Sequence, residues 1–177
     1  MKPLIVLVIA GVALSSCQAE EPRIPEPAEK VETSGKAKTG LDDVPAEVLA
    51  AAKAAQPTMT FTEAESEVRE GRNYYDVGGR LPDGSEVELD MLQEPTGWTV
   101  VETQRDIAFA TTPKPVQAAI GGADPAFRPD RVIESRQNDG IVIYELFGPA
   151  REGAEPRKVE IKFDGRRAEI LTKEWAH

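Results

Sequence analysis

Three pairs of residues, Pro45 and Pro113, Val48 and Val116, and Pro57 and Pro125, are each separated by 68 positions in this 177-residue chain. A period of that length is too long for a solenoid repeat and fits a duplicated small module. The first copy opens Val44-Pro45-Ala46-Glu47-Val48-Leu49, runs through a series of alanines and breaks at Pro57. The second opens Thr112-Pro113-Lys114-Pro115-Val116, passes Ala118, Ala119 and Ile120, and breaks by Pro125. Each opening reads as a short helix with proline in its first turn and another proline beyond its end. Gly121-Gly122 would shorten the second helix.

Strand-like runs follow each helix. In the first copy they fall at 60–68, 74–77, 86–91 and 98–103, separated by Gly71, Asp83-Gly84 and Gly97. In the second they fall at 131–135, 141–147, 158–163 and 167–172, with turns at Asn138-Asp139-Gly140, Gly153 and Asp164-Gly165. Glycine after Asp or Asn between such runs is hairpin punctuation. Alternation sends Val87, Leu89 and Met91 to one face and Glu86, Glu88 and Asp90 to the other. The expected fold class is therefore α+β, as two tandem units. Each would be a short helix packed on an antiparallel sheet of about four strands, its other face in water. The units would occupy residues 41–107 and 108–177.

The first forty residues read differently. Lys2 precedes Leu4 to Leu14, eleven residues without a polar side chain. As a helix they would span ~16 Å, about half of a ~30 Å hydrocarbon core, which marks an export signal and not a membrane span. Leu14-Ser15-Ser16-Cys17 follows at once and resembles the bacterial lipobox, whose cysteine becomes lipidated after cleavage. The resemblance implies a signal peptide over residues 1–16 and lipidation at Cys17. Gln18 after the cysteine is similar to the pattern sorted to the outer membrane. Two or more acyl chains hold a protein stably at a bilayer, at ~0.8 kcal/mol per buried CH₂. Residues 17–40 carry three prolines and five glutamates, with Ile24 and Val31 their only large apolar side chains. Such a segment reads as a disordered tether that lifts the folded part from the membrane.

Charge narrows the partners. Lys and Arg number 21 against 31 Asp and Glu, a net charge of −10. Nucleic acid phosphates need clustered cations, so no nucleic acid partner is expected. Anionic lipid would repel the chain, which leaves the lipid on Cys17 as the membrane contact.

The residues from 41 to about 175 resemble the PepSY-like domains of bacterial envelope proteins. Val44-Pro45, Pro57, an acidic first strand, Tyr74-Tyr75-Asp76-Val77 and Asp83-Gly84 carry that resemblance. The fold of such domains is similar to that of the beta-lactamase inhibitory proteins, which also hold two tandem copies. The resemblance implies a non-catalytic lipoprotein of the cell envelope that binds a protein partner and restrains a peptidase, and Gln18 puts its expected place on the outer membrane, facing the periplasm. A structural subunit of an outer-membrane assembly complex is the alternative. A third is an ion or ligand sensor using the acidic sheet face.

The residues themselves offer little catalytic chemistry. The only cysteine is Cys17 and the only histidine is His177, so no Ser/His/Asp set or histidine-based zinc site is expected. No cofactor and no metal site is assigned. Glu63, Glu65 and Glu67 alternate on one strand and Glu86, Glu88 and Asp90 on another. On neighbouring strands these would gather oxygen ligands suited to weak calcium binding or a basic partner. The plainer reading is a solvated sheet face. Tyr74, on the polar face with Asp76, and Trp98 are the expected partner-binding aromatics.

Overall fold

A computed structural model describes residues 28–149 and 157–176. Cys17, the signal segment, the first part of the tether, Gly153 and His177 lie outside the described residues.

Among the described residues, nine strands occupy Ala37–Thr39 (β1), Thr60–Arg69 (β2), Arg72–Arg80 (β3), Glu86–Glu94 (β4), Gly97–Ile107 (β5), Arg131–Gln137 (β6), Val142–Gly148 (β7), Arg157–Phe163 (β8) and Ala168–Ile170 (β9). Helices occupy Ala46–Ala55 (α1) and Lys114–Ala123 (α2). All strands join one antiparallel sheet in sequence order.

This corrects the expectation of two tandem helix-on-sheet units. β5 is eleven residues long, and its part from Glu102 to Ile107 pairs with β6 from Gln137 back to Val132. A sheet ending at β5 would leave a row of unpaired N–H and C=O groups. Pairing with β6 removes that edge, so the sheet runs unbroken from β1 to β9. Gly121 and Gly122 do not shorten α2, since both helices have ten residues.

The helices lie on one face. Val48 and Ala52 of α1, four residues apart, are buried against Leu89, Met91 and Val77. Val116 and Ile120 of α2 are buried against Leu146, Val132 and Ile161. Each helix starts from a proline at its N-cap, and each is preceded by a 3₁₀ turn, at 41–43 and 109–111.

The opposite face is not simply in water, and the segment from 28 to 40 is not a loose spacer. β1 pairs with β2 through Ala37–Thr39. Upstream, Ser34 N donates to Val68 O at 2.8 Å and Glu70 N donates to Glu32 O at 2.8 Å. Further upstream, Glu29 N donates to Thr172 O and Glu174 N donates to Glu29 O, both at 2.9 Å. Residues 29–34 thus bridge the two ends of the sheet, which curls toward its polar face beneath this strap. The backbone groups that a free coil would give to water are used here as sheet bonds.

Among the turns, Gly140 closes the β6–β7 hairpin at φ +87°, and Asp139 Oδ1 accepts a bond from Ile141 N at 2.9 Å. Gly140→Ala would force a Cβ into left-handed backbone and is expected to cost about 1 kcal/mol in a denaturation midpoint.

Candidate functional site

The curled polar face encloses a cleft of about 760 Å³, lined by residues of the segment 31–36, by Glu174 and Trp175, and from β2 to β8. Among the described residues, ten acidic and six basic residues line it, so its field is negative. Register explains the concentration of acid. Glu65 of β2 lies opposite Asp76 of β3, Asp76 opposite Asp90 of β4, and Asp90 opposite Glu102 of β5. Directly opposite residues share a face, so four carboxylates stand in one row across four strands.

Like charges side by side need compensation, and a lysine from outside the row supplies part of it. Lys36, just before β1, places Nζ 2.6 Å from Asp76 Oδ2 and 3.3 Å from Glu88 Oε1. Arg69 of β2 joins from the other side, with its guanidinium 2.9 Å from Glu67 and 3.9 Å from Asp90. Thr33 of the strap donates its hydroxyl to Glu67 as well. Gln104 reaches both Asp90 oxygens at 3.4 Å.

The compensation is incomplete. Burial pushes the Asp90 carboxyl well above the usual range, and the nearby Asp76, Glu102 and Glu88 push it further. Asp76 is also raised by burial, with Lys36 opposing, and Glu88 is raised for the same reason. Lys36 responds the other way. Burial disfavours its charge, but Asp76 and Glu88 outweigh burial and hold the ammonium above the usual lysine range.

A second facing pair lies across β7 and β8, where Glu145 stands opposite Glu160. Lys158 meets Glu145 at 3.1 Å, Glu160 at 2.7 Å and Glu174 of the C-terminal segment at 3.3 Å. Trp175 N donates to Glu160 at 2.7 Å, and the indole Nε1 donates to Gln137 at 3.1 Å. Both ends of the cleft therefore hold an ammonium bridged by two or more carboxylates.

The expected aromatics do not form one exposed surface. Tyr74 is on the polar face, as alternation indicates, but is 2% exposed and stacks under the Arg69 guanidinium at 4.8 Å. Trp98 is half-buried on the helix face, edge-on to Tyr75 at 5.4 Å. The two acidic strands are not neighbours either, because β3 separates β2 from β4. β3 supplies Asp76, the residue that sequence reasoning passed over. Its only signal was one acidic position inside the otherwise buried Tyr74-Tyr75-Asp76-Val77 run. Lys36 had none, lying in a stretch that reads as tether.

Carboxylates, ammonium groups and guanidiniums are the chemistry of this cleft. Such a set recognises cations and hydrogen-bond donors. Comparison with known proteins adds no family. No protein-family model matches the chain, and a search of curated proteins finds no match.

Proposed function

We propose that this chain is a non-catalytic binding protein of the cell envelope, lipid-anchored at Cys17, whose cleft receives a basic segment of a protein partner. One observation carries the reading: the cleft already coordinates two lysine side chains, each between carboxylates from adjacent strands. A lysine or arginine from a partner would meet the same paired acceptors. Restraint of a peptidase is the role that the PepSY-like resemblance adds to this reading. The anchor keeps the cleft near the membrane, where the chain's own negative charge gives no attraction to anionic lipid.

The full chain in detergent micelles, titrated with a fluorescent Lys/Arg-rich peptide, tests it. Binding is expected to weaken by about tenfold between 50 and 300 mM salt, since the attraction is largely ionic. Glu102→Gln with Glu145→Gln should weaken it by at least about fivefold, while Trp98→Ala, on the other face, should leave it unchanged. Equal binding of an acidic peptide, or no effect of the carboxylate changes, would sink the proposal. A partner captured from native envelopes should be released by the same two changes.

A further inference from the structure

Asp76, Glu88 and Asp90 each offer an oxygen, and the three oxygens lie within 4.8 Å of one another. Calcium–oxygen bonds of ~2.3–2.6 Å make a coordination sphere ~4.6–5.2 Å across, so three oxygens at this spacing fit around one ion. Magnesium, at ~2.0–2.1 Å with strict octahedral demands, wants a tighter set.

Clustered acid alone would carry no such reading, because sheet faces are often acidic. The independent observation is the state of Asp76. Its side chain is 1% exposed, and among the described residues its hydrogen-bond partner is Lys36, on one oxygen alone. Lys36 makes an ion pair with Oδ2, while Oδ1 has no partner at all among them. Buried polar atoms are nearly always satisfied, so an orphaned carboxylate oxygen within a cluster of its own kind points to a cation as its partner.

Lys36 shows where that cation would sit. Its ammonium touches two of the three carboxylates and brings one positive charge to a set of three. The side chain is 40% exposed, and the residue flanks a three-residue edge strand. It can turn out to water without disturbing the rest of the sheet. Arg69, the other nearby cation, is 3.9 Å from Asp90 and engaged with Glu67 at 2.9 Å.

The geometry points to a calcium site formed by Asp76, Glu88 and Asp90, which Lys36 fills in the ion-free protein and leaves when calcium binds. The site lies in the cleft assigned to a basic partner but does not rest on that assignment. Its test uses no peptide, so either reading can fail alone.

The full chain in detergent micelles, stripped with EDTA, is titrated with CaCl₂ by calorimetry and by thermal denaturation. One site with a dissociation constant of about 10⁻⁴–10⁻³ M is expected, the range of extracellular calcium modules. At about ten times that concentration the melting temperature should rise by about 3–6 °C, and by less with MgCl₂. Lys36→Met removes the competing ammonium and should bind calcium at least about tenfold more tightly, whereas Asp76→Asn should bind at least about tenfold more weakly. Should Lys36→Met not fold in EDTA, Lys36→Gln takes its place, and recovery of its near-ultraviolet circular dichroism on adding calcium is then the expected result. The assignment is overturned by a flat titration with no thermal shift in both the wild type and the lysine variant. It is equally overturned by unchanged affinity in Lys36→Met or Asp76→Asn, or by magnesium binding as well as calcium.

Discussion

Glu134→Ala is expected to lower the unfolding free energy by about 2–4 kcal/mol at pH 7, measured by urea denaturation with tryptophan fluorescence. Glu134 of β6 is 5% exposed and accepts bonds from Arg105 Nε at 2.8 Å, Arg136 Nε at 2.9 Å and the Tyr144 hydroxyl at 3.2 Å. Removing it strands a buried phenol and leaves two guanidiniums without their carboxylate. Breaking a fully buried ion pair costs ~3–5 kcal/mol, but both arginines are about half exposed and recover some hydration, hence the smaller figure. Arg136→Ala alone should cost less than about 1 kcal/mol, because Arg105 still holds the carboxylate. The pH dependence carries a definite sign. Burial works against the Glu134 charge, yet the bonds from Arg105 and Arg136 outweigh it and hold the carboxyl below the usual range. A depressed acid stabilises the fold above its unfolded pKa of ~4.3 and loses that contribution as pH falls. The gap between wild type and Glu134→Ala should therefore close below about pH 4. A gap that stays constant from pH 7 to pH 3 would show that the carboxylate charge is not what stabilises β6.

Local pattern was legible wherever chain neighbours decide the outcome. The prolines flanking 46–55 and 114–123 bound the two helices, and eight period-two runs between glycine turns became β2 to β9. What the pattern could not carry was pairing across long separations. Nothing in 98–103 alone shows that the strand continues to Ile107 and takes β6 as its neighbour. Composition misled over residues 28–40. A Pro/Glu-rich segment cannot bury apolar surface, but it can still offer backbone groups to an open sheet edge, which is what Glu29, Glu32 and Ser34 do. The burial of the acidic face follows from the same strap, and it was invisible for the same reason.

Two clusters of carboxylates, one on each face of the sheet, handle charge in opposite ways. On the helix face, Glu134 is matched by two arginines and a phenol, and its acidity rises. On the curled face, Asp76, Glu88 and Asp90 share mainly one ammonium, and their acidity falls. Burial is common to both, so the number of cations per carboxylate decides the sign. A face short of positive charge is ready to accept it from a ligand, and that shortage is the physical basis for reading the cleft as a binding site.

Asp90→Asn is expected to stabilise the protein by about 1–3 kcal/mol at pH 8 in EDTA, and to change little below about pH 4. Asp90 is 1% exposed, and its carboxyl is raised by burial first and then by Asp76, Glu102 and Glu88, with Lys36 opposing. The folded state thus binds this proton more tightly than the unfolded chain, whose aspartates release theirs near pH ~3.9. Stability then falls as pH rises from that value toward the elevated folded pKa, because over this window the unfolded state carries fewer protons. Asparagine keeps the shape, never ionises, and brings an N–H₂ group beside the partnerless Asp76 Oδ1. The variant should therefore show a flatter stability profile between pH 5 and 8, read from urea midpoints across that range. Asp76 and Glu88 are raised too and will keep some slope in the variant, so the difference between the two curves is the quantity to measure. Equal slopes in wild type and variant would mean that Asp90 ionises freely in the folded protein, and the shortage of positive charge in the cleft would then be refuted.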